Sequence, residues 1–253
     1  MLSLPFQTII VANEVDQPRS ERLELSTKSG PRSWDFWVMP ERGSTDLLHG
    51  VERHASVSKE LGQRLFPDSD LAVTTGSVRN GRAESGVVIA RSLDLALVDY
   101  LEAGGRVLLL PDGNPGSFVT RTYPFSSPGL VIGNHPSIRR VPYRALLNTI
   151  RRDLGSSMVP DLPILGQVEL IILIGELGDD QRVNTHGLVF QMTVGKGRLL
   201  VSALKHDHSA IGGYLLDEFV IHLATGLLPR CGLAPAEIET FRRRIRAGEN
   251  LSF

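Results

Sequence analysis

Along most of the chain, short continuous apolar runs alternate with segments in which apolar residues recur about every fourth position. One stretch shows both patterns. Val87–Ala90 is a short apolar run, typical of a buried strand. Ser92–Ala103 places leucines at every fourth position, which predicts an amphipathic helix with Ser92 as its N-cap. Arg106–Leu110 then has no polar face, as expected for an interior parallel strand. These segments predict a right-handed strand–helix–strand unit.

The same alternation runs from about residue 44 to the end of the chain. The spacing predicts further helices over Ser56–Leu65, Arg144–Leu154, Ser209–Leu223 and Pro235–Arg246. It predicts further strands over Leu71–Thr75, Val168–Ile174, His186–Val194 and Arg198–Leu204. The last two strands are separated by Gly195-Lys196-Gly197, which predicts an antiparallel pair. We therefore expect an α/β fold in which a mostly parallel sheet carries helices on both faces.

The first 40 residues have a different pattern. Gln7–Ala12 is β-branched and apolar, and Ser33–Met39 is aromatic and β-prone, so both predict strands. We interpret residues 1–40 as a short β extension, the remnant or edge of a β-sandwich, and residues 41–253 as the α/β domain. Trp34 and Trp37 in this extension are interpreted either as packing residues or as a surface that stacks on a sugar ring.

Composition and charge exclude several classes of protein. The 253 residues carry a formal net charge of −1, which gives no general attraction to nucleic acid or to anionic lipid. The longest apolar runs are far shorter than the roughly 20 residues of a membrane-spanning helix. Cys231 is the one cysteine, so neither an internal disulfide nor a cysteine-rich zinc site is expected. We therefore expect neither nucleic acid nor a membrane as partner.

Polar residues follow two of the predicted strands, where ligands bind in open α/β sheets. Asp112 and Asn114 come after Arg106–Leu110, and His206, Asp207 and His208 come after Arg198–Leu204. The His-x-His pair is able to hold a metal with a third carboxylate, or else Asp207 or Ser209 caps the next helix and the histidines are solvated. The loop around Asp112 and Asn114 is either an anion-binding loop or a series of turns. We select these five residues as a ligand-binding hypothesis, with no metal and no cofactor assigned.

Motifs of nucleophilic and cofactor-dependent enzymes are absent from the sequence. G-x-[CS]-x-G, G-x-G-x-x-G and the P-loop pattern do not occur, and Cys231 follows a predicted helix rather than a strand. A hydrolase in its own right would use the carboxylates Asp112, Glu176 and Asp207, or a histidine-bound metal. That hypothesis requires these side chains to converge.

Four segments, taken in order, resemble the C-terminal region of glycoside hydrolase family 2-type (β-galactosidase-like) multidomain proteins. The segments are Ser33–Pro40 (SWDFWVMP), Leu97–Pro111 (LVDYLEAGGRVLLLP), Gly129–Pro136 (GLVIGNHP) and Val194–Leu204 (VGKGRLLVSAL). The resemblance spans most of residues 33–245. It implies a flavodoxin-like, class I glutamine amidotransferase-like module that lacks the amidotransferase nucleophile.

The resemblance also bears on function. The catalytic carboxylates of such hydrolases lie on an upstream TIM barrel, which alone takes about 250 residues, so the resemblance transfers no catalytic residue to this chain. It implies a non-catalytic accessory domain whose partners are upstream catalytic or β-sandwich domains, or a companion chain. The alternatives are a module that binds carbohydrate or another small ligand, and a stand-alone hydrolase.

Overall fold

The computed structural model describes residues 15–27, 29–40, 50–67, 71–84, 86–122, 129–150, 158–160, 167–177, 183–207 and 209–252. The chain divides into two compact units, Met1–Gly43 and Ser44–Phe253. The predicted strand Gln7–Ala12 lies outside the described residues. None of the helices in the described ranges combines the length and apolar character needed to cross a membrane.

The N-terminal unit contains a β-hairpin. Strands β1 (Arg19–Thr27) and β2 (Gly30–Val38) pair in antiparallel register. One face pairs Leu23 with Trp34, and the other pairs Arg22 with Asp35, whose ion pair spans 2.8 Å. Trp34 stays 47% exposed. The hairpin therefore presents Trp34 to solvent, whereas its other aromatic side chains, Phe36 and Trp37, are half-buried.

The second unit contains thirteen strands and five helices among the described residues. The strands are β3 (Val51–His54), β4 (Val73–Thr74), β5 (Val78–Arg79), β6 (Arg82–Ala83), β7 (Val87–Ala90), β8 (Arg106–Leu109), β9 (Thr120–Thr122), β10 (Gly129–Ile132), β11 (Met158–Pro160), β12 (Glu169–Leu177), β13 (Val183–Val194), β14 (Gly197–Ser202) and β15 (Gly232–Leu233). The helices are α1 (Lys59–Leu65), α2 (Leu95–Glu102), α3 (Tyr143–Thr149), α4 (Ala210–Thr225) and α5 (Pro235–Arg246). A 3₁₀ turn, Pro136–Ile138, precedes α3.

The central sheet of this unit is mixed and mostly parallel. Its strand order is β10-β12-β13-β14-β8-β7-β3-β4, and β15 pairs in addition with β13. The strands from β14 to β4 are parallel neighbours, whereas β10, β12, β13 and β14 form antiparallel pairs. The expectation of an α/β protein with a mostly parallel sheet is confirmed, as is the antiparallel pair β13–β14. The flavodoxin-like assignment stays a prediction.

Helices cover both faces of the sheet. On one face, alternate residues of the interior strands pack with α2 and α5 around Phe118, Phe190 and Phe241, whose rings meet edge to face. The residues in between, such as Leu108 and Leu200, are also fully buried, and α4 packs against β7, β8 and β14 on that other face. Because side chains alternate along a strand, interior strands buried on both faces have the continuous apolar runs seen in the sequence.

Two local features explain where α2 begins and where β13 turns into β14. Asp94, not Ser92, is the N-cap of α2, and its carboxylate accepts the N–H of Leu97 at 2.8 Å. The β13–β14 turn requires glycine at Gly195, which has φ +61° and whose added Cβ would lie 2.7 Å from the backbone of Glu102. The turn therefore packs directly against the end of α2.

Candidate functional site

The loops after β8 and β14 carry the residues predicted as a ligand site, and both loops lie at the carboxyl edge of the parallel strands. Ligands of open α/β sheets bind at this edge.

Asp112 is used by its own loop. Its Oδ1 accepts the backbone N–H of Asn114 at 3.0 Å, and its Oδ2 accepts the side-chain amide of Asn114 at 2.9 Å. Its Oδ2 also lies 3.3 Å from Nε of Arg91, and the side chain is only 10% exposed. The structure therefore brings Asp112 and Asn114 together as partners of each other, in an Asx-type turn.

The C-terminal segment holds the same loop from the other side. Asn250 donates its side-chain amide to the carbonyl of Gly113 at 2.8 Å. The N–H of Gly116 donates to the carbonyl of Glu249 at 2.9 Å, and the N–H of Leu251 donates to the carbonyl of Ser117 at 2.7 Å. The loop that follows β8 is thus held by the C-terminal segment.

The cluster after β14 divides between different partners. His206 is buried, with Nδ1–H donating to the carbonyl of Gly212 at 2.9 Å and Nε2 2.8 Å from the Ser202 hydroxyl. The interpretation of His206 as a solvated side chain is therefore wrong. Asp207 forms an ion pair of 3.2 Å with Arg64 of α1. Ser209 caps α4, as one of the alternatives predicted, and His208 lies outside the described residues.

The remaining candidates contribute little to this edge. Cys231 is half-buried before β15, and its carbonyl accepts the N–H of Thr193 at 2.9 Å. Glu176 lies on β12, but its side chain lies outside the described residues.

The sequence reasoning missed a hydrogen-bond network at this edge, formed by His54, Ser56 and Asp94, which we call the edge network. The Ser56 hydroxyl lies 2.8 Å from Nδ1 of His54, and Nε2 of His54 lies 3.1 Å from Oδ2 of Asp94. Burial alone would raise the pKa of Asp94, but the hydrogen bonds from His54 and Leu97 outweigh it and hold this pKa below its ordinary value. The network joins the end of β3 to the start of α2.

The edge network has the residue types of a catalytic triad but not a free nucleophile. The Ser56 oxygen also accepts the backbone N–H of Arg91 at 3.0 Å and that of Ser92 at 3.4 Å. A hydroxyl has two acceptor lone pairs and one hydrogen. With both lone pairs accepting and the hydrogen on His54, Ser56 has no lone pair left to attack a carbonyl. The network is therefore arranged to fasten loops together.

The sequence reasoning also missed a second network, which comprises His135, Glu169, Gln191 and His222 and which we call the buried amide network. It joins β12 and β13 to α4 and to the residue that precedes the 3₁₀ turn. Gln191 donates its amide to Oε2 of Glu169 at 2.9 Å, and the same nitrogen lies 2.9 Å from Nε2 of His135. Nε2 of His222 lies 3.0 Å from the amide oxygen of Gln191. The carboxylate of Glu169 accepts the amide N–H of Gln191, and His222 donates at Nε2 to the amide oxygen of Gln191.

Burial favours the neutral form of both imidazoles in this network. Burial, with the nearby His135 and Arg198, lowers the pKa of His222 to about 4. Burial likewise lowers the pKa of His135, against the opposing effect of Glu169. Burial therefore disfavours the imidazolium form at both positions.

One signal in the sequence points to both missed networks. His54-Ala55-Ser56 and His135-Pro136-Ser137 share a His-x-Ser spacing, and in each case Nδ1 of the histidine meets the serine hydroxyl, at 2.8 Å and 2.7 Å. The long-range partners of the two histidines have no comparable signal.

Neither network is a metal centre as it stands. Across the described ranges, no group of three or more His, Cys, Asp or Glu side chains has a geometry suited to a metal ion. The side-chain amide of Gln191 lies within hydrogen-bond distance of Nε2 of both His135 and His222, so neither nitrogen is free to ligate a metal. Comparison with protein-family models gives no match, and comparison with curated proteins gives none either.

Proposed function

We propose that this chain is a non-catalytic accessory module of a glycoside hydrolase-type, carbohydrate-active protein. Its role is to pack against, and stabilise, a catalytic or β-sandwich domain or a companion chain. The observation that carries the proposal is the saturation of the polar side chains at the carboxyl edge of the sheet, where an α/β enzyme would place its reactive groups.

Three contacts at that edge support the proposal. Asp112 is paired with Asn114 and Arg91, so its carboxylate is not free to act as a general base. Asp207 is paired with Arg64 of α1. Ser56 has both lone pairs and its hydrogen engaged. Each group would have to abandon an existing partner before it could act on a substrate.

The N-terminal hairpin supports the proposed role of packing against a partner domain or chain. A two-stranded hairpin is at best marginally stable in water and needs a further strand or a packed surface. Trp34 remains half-exposed on it, and large exposed aromatic side chains are enriched in protein interfaces. The hairpin is thus the part of the chain that we expect to complete a β-sandwich partner.

A substrate screen tests the non-catalytic half. The isolated chain is assayed with chromogenic glycosides and esters, with and without added divalent metal. We expect no turnover above that of buffer. Turnover that disappears in Ser56→Ala or Asp112→Asn, while circular dichroism shows an intact fold, would overturn the proposal in favour of a hydrolase.

A stabilisation assay tests the accessory half. The accompanying catalytic domain or chain is prepared with and without this module, and its thermal unfolding midpoint is compared. We expect a higher midpoint with the module and loss of that gain in Trp34→Ala. Val73→Ala, which removes an equally exposed apolar side chain from the second unit, is the control and should keep the gain. Equal midpoints with and without the module would contradict the proposal.

A further inference from the structure

A pocket of about 350 Å³ lies away from the carboxyl edge, formed by residues from the end of β10 to the middle of α3. This volume is at the lower end of the roughly 300–1,000 Å³ of small-ligand sites, so the pocket suits a molecule of about one ring. Its apolar wall consists of Ile132, Ile138, Val141, Pro142 and Leu146. Asn134, Arg139 and Tyr143 add an amide, a guanidinium and an aromatic ring.

The wall of the pocket is held in place by the protein itself. His135 is fixed through Gln191 and the Ser137 hydroxyl. The N–H of Gly133 donates to the carbonyl of Ile171 at 2.8 Å, and the N–H of Ile138 donates to the carbonyl of His135 at 3.1 Å. A ligand would therefore meet a preformed cavity and lose little free energy in ordering it.

Among the described residues, the charge of the pocket lining is positive. No acidic residue appears among the side chains that line it, and within the described ranges Arg139 has no acidic partner. The neighbouring Arg140 differs, because it forms an ion pair of 3.4 Å with Glu218. Arg139 is exposed and has its guanidinium available to a ligand anion.

We propose that this pocket binds a small carboxylate with an apolar ring, such as an aromatic acid. The carboxylate pairs with Arg139, whose planar guanidinium suits two parallel hydrogen bonds. The ring lies against Tyr143 and the aliphatic wall. A hydroxyl-rich ligand fits less well, since five of the nine lining side chains are apolar and both ring nitrogens of His135 already have protein partners. This inference stands on the pocket and does not depend on the accessory role.

The test is a titration of the isotope-labelled full chain followed by NMR, with sodium benzoate as probe and benzamide as its neutral counterpart. We expect benzoate to shift the amide signals of Gly133, Asn134 and Arg139, with an affinity at least about tenfold above that of benzamide, since a charge-assisted hydrogen bond typically contributes that factor or more. Equal affinities for the two probes, or no shifts at these amides up to the solubility limit of benzoate, would overturn the proposal.

Variants separate the two parts of the site. Arg139→Gln should lower the affinity for benzoate to that for benzamide, whereas Tyr143→Ala should weaken both probes alike. Arg144→Gln is the matched control, because Arg144 is exposed on α3 but does not line the pocket. An equal loss in Arg144→Gln would reduce the effect to general charge attraction and overturn the assignment of Arg139. Sodium glucuronate binding more tightly than benzoate would overturn the assignment of an apolar ring.

Discussion

The buried amide network makes the fold sensitive to mild acid, and His222 allows this to be measured. His222 is 8% exposed, and burial lowers its pKa from 6.5 to about 4 in the folded chain. Since the folded pKa lies below the unfolded value, the unfolded chain takes up the proton first as the pH falls. Stability from this group is therefore complete above pH 6.5 and declines as the pH falls towards 4.

The size of the effect follows from the shift. One pKa unit corresponds to about 1.4 kcal/mol, so His222 should cost the folded state about 3 kcal/mol between pH 7 and pH 4. That is a large share of the roughly 5–15 kcal/mol that stabilises a typical domain. His135 acts in the same direction, because its pKa is also lowered by burial.

The assay compares His222→Gln with the unchanged protein by urea unfolding at several values between pH 8 and pH 4. At pH 8 the variant reports the cost of the altered packing and of the changed hydrogen bond to Gln191. As the pH falls, the unchanged protein should lose about 3 kcal/mol more than the variant. Taking the difference removes the contributions of carboxylates that both proteins share. Parallel stability curves for the two proteins would refute the assignment of a neutral, buried His222.

Three further substitutions test packing, tethering and the loop at the sheet edge. Phe118→Ala empties the centre of the aromatic cluster and should lower the free energy of unfolding by about 3–5 kcal/mol in urea titrations. Arg242→Gln removes the ion pairs that join α5 to Asp99 and Glu102 of α2; because those carboxylates are exposed, we expect a loss of about 1 kcal/mol that shrinks in high salt. Asp112→Ala should lower the thermal unfolding midpoint, with a loss of about 1–2 kcal/mol through its hydrogen bonds to Asn114. A midpoint unchanged by Asp112→Ala would contradict the structural role of that carboxylate.

Local spacing explains which elements could be predicted. The segment from Val87–Ala90 to Arg106–Leu110 corresponds closely to β7, α2 and β8, because each element's apolar spacing is contained within its own residues. The prediction of Ser92 as the N-cap of α2 was wrong because of a contact with a distant part of the chain. The N–H of Ser92 donates to the hydroxyl of Ser56, which holds Ser92 outside the helix and leaves Asp94 as the cap.

The contacts of the candidate site could not be predicted from the sequence as well as the fold could. The position of Asp112, Asn114, His206 and Asp207 after β8 and β14 follows from strand spacing. Their partners do not, because Arg91 and Arg64 come from other parts of the chain. A polar side chain after a strand has the same appearance in a sequence whether it awaits a ligand or pairs with an arginine.

The amino-acid sequence by itself determined the alternation of strands and helices, the tight β13–β14 turn and the class of fold, since these depend on neighbours within a few residues. Only the tertiary structure decided that Gln191 meets His135 and His222, which lie 56 and 31 residues away along the chain. It also decided that Arg140 is paired while Arg139 is left at a pocket. The physical reason is that burial and long-range pairing, rather than residue type, set the protonation and availability of a polar group.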